Sequence, residues 1–190
     1  MKLSFLIILS IFIIPLSWAD SKFKTLELSS SFLTHHFSQL NADRFENPVS
    51  EDGRTINNPL YGFTYSYSDN TDFYNSFTLF SGEDSIGSPM QGFSFTGGFG
   101  DITSSTVQFG WVWGMYFYDE SAWEERFADR EAQTPSWLYA YYGEQWRGVN
   151  MIFGLELNFK FDITDHTFIK IRNTVTPMIS NHSLSIGFEF

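Results

Sequence analysis

The sequence predicts an all-β chain, an eight-stranded antiparallel up-and-down transmembrane β-barrel. Three observations point there. Large apolar residues recur at every second position, the connections between such segments alternate between short and long, and the chain opens on an export segment.

The export segment comes first. Met1-Lys2 gives a positive start, Leu3 to Leu16 is an apolar run, and Ser17-Trp18-Ala19 is a small-x-small cleavage site ahead of Asp20. The run is short of the about 20 apolar residues a spanning helix needs. The expectation is a signal peptide over 1–19, leaving 20–190 as a single outer-membrane β-barrel domain. Composition narrows the remainder. Without cysteine there is no disulfide framework and no thiol chemistry. A net charge of −11 argues against a nucleic-acid partner, which requires a basic surface.

The strands follow in order. A weak first segment runs from 26 to 34. In the second, Tyr61, Phe63, Tyr65 and Tyr67 alternate with Gly62, Thr64 and Ser66. A third, less regular, covers 73–81. Phe93, Phe95 and Phe99 alternate with Ser94, Thr96 and Gly98 in the fourth. The fifth is the clearest: Val107, Phe109, Trp111, Trp113, Met115 and Phe117 alternate with Gln108, Gly110, Val112, Gly114 and Tyr116. The sixth repeats it from Met151 to Phe161, the seventh covers 167–176, and the eighth carries Leu184, Ile186, Phe188 and Phe190 on one face.

The connections 69–72, 100–105 and 162–166 are short and rich in Asp, Asn, Gly, Ser and Thr, as tight turns require. Those at 38–58, 82–89, 119–147 and 177–181 are mostly longer. This is the asymmetry of outer-membrane barrels, with short turns on the periplasmic side. An even strand count then places both termini there. A soluble barrel would need a polar outside, whereas this outer face carries Trp111, Trp113 and several Phe and would aggregate in water. In lipid the sheet must close, because an unpaired edge cannot be satisfied there.

The inward set divides in two. Glu27, Glu156, Lys160, Lys170, Arg172 and Glu189 carry both signs and predict a buried ionic network near the periplasmic half. Nearer the external half stand Phe80, Met90, Gly92, Val112, Gly114, Tyr116 and Ile152. The glycines have two readings: room for an acyl chain, or relief of crowding in a narrow barrel.

Two clusters fall at the external rim. His35 and His36 end the first strand, and Asp84-Ser85 follows the third. A His base and a Ser nucleophile with a nearby Asp suit acyl transfer. If Leu26, Leu28 and Phe32 face lipid, strict alternation turns His35 inward and His36 outward; a bulge in Ser29–Ser31 would reverse this. No residue set has the spacing of a metal site, and no cofactor is expected.

The arrangement of His35 or His36 with Phe80-Ser81-Gly82-Glu83-Asp84-Ser85 resembles the lipid A palmitoyltransferase family (PagP). That resemblance implies an eight-stranded outer-membrane barrel that moves an acyl chain from a phospholipid to lipid A. It implies functional roles for a His at the first external loop and for Asp84-Ser85 at the second. The chain departs from the family in two respects: 20–23 is too short for the amphipathic helix that precedes the family's first strand, and the first strand has no proline. A second resemblance is to the lipid A deacylase family of the PagL type, through the two-residue spacing of His36-Phe37-Ser38, although Gln39 stands where that motif has Asn. A third, non-enzymatic option is a structural or adhesive barrel of the OmpX type. The expected partners are phospholipid and lipid A, with no nucleic acid. The terminal Phe190 resembles the signal read by the outer-membrane assembly machinery. The expected form is a monomer in the outer membrane of a Gram-negative bacterium.

Overall fold

A computed structural model describes residues 22–35, 59–69, 72–83, 89–119, 149–176 and 179–190. They form eight strands: β1 (Phe23–His35), β2 (Pro59–Ser68), β3 (Phe73–Glu83), β4 (Pro89–Phe99), β5 (Thr106–Tyr118), β6 (Val149–Thr164), β7 (Thr167–Val175) and β8 (Ile179–Glu189). Each pairs antiparallel with the next, and β8 pairs with β1 from Thr25↔Glu189 to His35↔Ile179. The sheet therefore has no free edge. At the closure the Phe190 amide donates to the Lys24 carbonyl at 3.1 Å, so the two ends of the described chain meet at the rim of short turns.

Alternation decides which side chains go in. Along β5, Gln108, Val112 and Tyr116 are buried, whereas Val107, Phe109, Trp111 and Trp113 are exposed. The pattern is inverted relative to a water-soluble protein: Gln108 has no exposed surface, while Phe153 is 68% exposed. The same parity puts Leu28, Phe63, Phe99, Leu155, Ile171 and Ile186 outside. A closed sheet with this exterior removes its backbone polar groups from hydrocarbon and offers hydrocarbon an apolar face. The chain is an eight-stranded membrane-spanning barrel.

Strand ends differ in places from the sequence reading. β6 continues through Thr164 and its turn shrinks to Asp165-His166, with a register shift between Asp162 and Thr164. β8 begins at Ile179 rather than past Asn181, because Ser180 and Asn181 pair with Val175 and Thr174. Pro89 opens β4 opposite Glu83, where a missing N–H is tolerated.

The interior is layered. Toward the short-turn end, Glu27, Glu156, Lys160, Lys170 and Arg172 are all buried. Toward the other end lies an apolar cluster of Leu33, Leu60, Met90, Val112, Tyr116, Ile152 and Ile179, with Phe80 and Tyr118 against it. The turn after β4 tucks Ile102 out of solvent, and the Gln108 amide donates to the Asp101 carbonyl at 2.7 Å, which ties this turn to the barrel.

Candidate functional site

The charged layer is assembled from strands far apart in sequence. Lys170 Nζ donates to Glu27 Oε1 at 2.5 Å, and Arg172 Nη2 donates to Glu27 Oε2 at 3.1 Å. Ser185 adds a third donor to the same carboxylate at 2.9 Å. Arg172 also reaches Glu156, Nε to Oε1, at 3.7 Å, and its Nη1 donates to Thr78 and Thr64 at 3.0 and 3.2 Å. Glu156 accepts from Asn158, Thr96 and Thr174, and Asn158 donates to the buried Tyr74 hydroxyl. Two carboxylates thus face two cations, and this group is neutral overall. Lower down, Lys160 bridges Asp162 and Glu189 and lies 4.6 Å from the centre of the Phe168 ring. Burying charges is costly unless they are paired and hydrogen-bonded, and here each has a partner. The ionic network expected from residue types is present.

The apolar layer settles the question of the glycines. A Cβ on Gly92 would meet the Phe80 ring and the Met115 carbonyl, and one on Gly114 would meet the Phe93 carbonyl and the Ser94 Cα. The room these glycines leave is already taken by a ring and by the neighbouring strand. Relief of crowding is therefore their role among the described residues, rather than a slot for an acyl chain.

The rim residues are placed only in part. His35 is the last residue of β1 and pairs with Ile179. The registers of β1 with β2 and with β8 run through Ser29–Ser31 without a shift, so the bulge that would change its parity is absent. His36, Asp84 and Ser85 lie outside the described residues, as do the 1–19 segment and the third long connection. β1 and β3, which lead into these clusters, end at the same rim with β2 between them.

Several polar residues stand on the lipid-facing parity, and Asn75, Asn173 and His182 among them escaped the sequence reading. Asn75 sits between Phe73 and Phe77, Asn173 between Ile171 and Val175, and His182 two positions before Leu184. The available signal was a polar residue in the apolar phase of the alternation. Asn173 and His182 are cross-strand partners and satisfy each other, with His182 Nδ1 and Asn173 Oδ1 2.9 Å apart. Asn75 has no side-chain hydrogen bond among the described residues. It lines an outer groove of about 240 Å³ with Tyr67, Phe73, Phe95, Gly97, Trp111 and Trp113. Asn75 pairs with Gly97, and Gly97 with Trp111, whose Nε1 would lie 3.3 Å from a Cβ at Gly97.

Asp101 stands clear of the membrane-spanning strands, in the turn between β4 and β5. Burial pulls the Asp101 carboxyl up, but hydrogen bonds from the Thr103 hydroxyl and amide and from the Ser104 hydroxyl, with the Lys160 ammonium nearby, outweigh it. The carboxyl is held below the usual carboxylate range. Its contacts are short: Thr103 N at 2.7 Å, Thr103 Oγ1 at 2.6 Å and Ser104 Oγ at 2.9 Å. Among the described residues no group of His and acidic side chains is placed to hold a metal ion.

No protein-family model matches the chain, and no curated protein matches it in sequence. In fold it is similar to Ail, the attachment invasion locus protein of Yersinia pestis, at 12% identity and a TM-score of 0.43, covering 88% of this chain and 97% of that one. It is also similar to the outer membrane protein OprG from Pseudomonas aeruginosa, at 9% identity and a TM-score of 0.41, covering 90% and 96%. A de novo designed transmembrane β-barrel gives 6% identity and a TM-score of 0.45, covering 90% and 98%.

Proposed function

We propose that this chain is a small barrel of a Gram-negative outer membrane, and that its strands act as a solid, non-enzymatic scaffold for the segments at its long-connection end. The observation that supports this most is the filled interior. A neutral, hydrogen-bonded ionic layer occupies one half and an apolar plug from Leu33 to Ile179 the other. Eight strands leave room for side chains or one small ligand, and among the described residues inward side chains occupy it. The scaffold is a structural or adhesive one of the kind that the OmpX-type option describes. Purified protein in a planar bilayer tests it directly. No conductance steps are expected from the folded barrel, and stable open-channel steps would overturn the reading.

Lipid A acyl transfer is the second reading, and one observation supports it. The strands that lead into His36 and into Asp84-Ser85 end at one rim, and His35 stands at that end of β1. A His, an Asp and a Ser there could act on lipids held in the outer leaflet. Lipid A from cells with and without the gene separates the possibilities by mass spectrometry. Identical spectra support the scaffold. A gain of one acyl chain that is lost in His35→Ala, His36→Ala or Ser85→Ala supports acyl transfer, and a loss of mass supports the deacylase alternative.

A further inference from the structure

We infer that the outer groove around Gly97 is a binding site for a glycerophospholipid, with an acyl ester carbonyl of the lipid held between Asn75 and Trp111. The groove opens on the lipid-facing side of β2 to β5, backed by the inward Ser76 and Thr96, and is continuous with the apolar belt, so lipid is what surrounds it. Its walls are aromatic: Phe95 and Trp113 stack at 4.7 Å, and Phe73 lies 6.3 Å from Trp111. Its floor is Gly97, where the absence of a side chain opens a gap between Asn75 on one strand and Trp111 on the other.

The polar groups at this gap identify the occupant. The Asn75 amide and the Trp111 indole N–H have no hydrogen-bond partner among the described residues. A polar group left unsatisfied in hydrocarbon is costly, and the His182–Asn173 pair elsewhere on the same outer surface shows such groups satisfied in place. Asn75 and Trp111 offer N–H donors and carry no charge. They match a neutral oxygen acceptor flanked by hydrocarbon chains, which is the chemistry of an ester carbonyl, better than a bare phosphate.

Depth agrees. Asn75 is two residues from the start of β3 and Gly97 two from the end of β4, both at the short-turn end. At about 3.3 Å per residue, and with strands tilted by about 45°, the site lies about 5 Å inside the end of the strands. The ester layer of a bilayer leaflet borders the hydrocarbon core at such a depth. Aromatic residues also gather at this level as a general belt, but a belt does not require an outward glycine beside an unpaired amide.

The site presupposes a barrel that crosses a bilayer, and the test separates the two. Protein extracted from membranes is stripped of lipid and offered diacyl or dialkyl phosphatidylethanolamine, which differ only in the ester carbonyls. Native mass spectrometry then reads the retained lipid. The native chain should retain the diacyl lipid and hold the dialkyl lipid about fivefold more weakly, as for removal of a hydrogen bond worth about 1 kcal/mol. Asn75→Leu should show the same loss, and because it places an apolar group in lipid it should still fold; Gly97→Leu should close the groove independently. Equal retention of the two lipids, or unchanged retention in both variants, would overturn the site, as would a dimer masking this face. Failure of the folded protein to float with vesicles would instead overturn the membrane-spanning barrel itself.

Discussion

Glu27 and Lys170 meet inside the barrel at 2.5 Å although 143 positions separate them in the chain. They stand on β1 and β7, with β8 between, and Ser185 of that middle strand donates to the same carboxylate. This contact becomes possible only once the sheet has closed. The ionic layer therefore reports closure, and its loss should be felt by the whole barrel.

Glu27→Ala should destabilise the folded barrel by about 3–5 kcal/mol, because it leaves Lys170 and Arg172 with an uncompensated buried charge. Replacing the pair together, as Glu27→Gln with Lys170→Met, should cost less than Glu27→Ala alone. Urea unfolding of vesicle-reconstituted protein measures both. Equal or larger destabilisation in the double variant would mean that the pair is not the unit that matters.

The Phe168 ring fills the space beside Gly187 and lies under Lys160. All three nearest atoms to a Cβ at Gly187 belong to that ring. Gly187→Ala should therefore cost about 1–3 kcal/mol by overpacking. Phe168→Leu should recover part of that loss when combined with it, giving a favourable coupling in a double-mutant cycle. Simple additivity would show that the ring is not what excludes the methyl group.

Asp101 makes one turn sensitive to acid. Its folded-state carboxyl is held below the usual carboxylate range by Thr103 and Ser104. A depressed carboxyl contributes stability above its unfolded-state value and loses it as pH falls through the folded-state value. Asp101→Asn should lower stability at neutral pH and flatten the acid limb of the profile, with a small effect because the group is only partly buried and solvent screens it. Unfolding midpoints from neutral pH down to below the carboxylate range check this; an acid limb unchanged in the variant would contradict it.

The barrel was legible in the sequence because its outer face is nearly all large and apolar. In β5 every odd position from Val107 to Phe117 declares its side. Strand ends were less legible where polar residues serve the sheet. Asp162 reads as a turn former, yet it pairs with Phe168 and its carboxylate takes Lys160 and Ser105. The residue types of the ionic layer were visible, but its partners were not, since Glu27–Lys170 and Arg172–Glu156 depend on register around a closed sheet. The role of Gly92 was undecided in sequence because crowding is a property of the neighbouring Phe80 and Met115. Asn75 was passed over because one polar residue in an apolar phase looks like noise until Gly97 and Trp111 are placed beside it.

Alternation along each strand sorts side chains between lipid and the barrel interior. The chain has no cysteine, so a single Cys can be introduced and spin-labelled at successive positions of β5 in reconstituted vesicles. Labels at Phe109, Trp111, Trp113 and Met115 should be accessible to oxygen dissolved in the bilayer, while labels at Gln108, Val112 and Tyr116 should be shielded from both oxygen and a water-soluble nickel reagent. Odd positions accessible to nickel, or even positions open to it along their length, would contradict a lipid-facing, filled barrel.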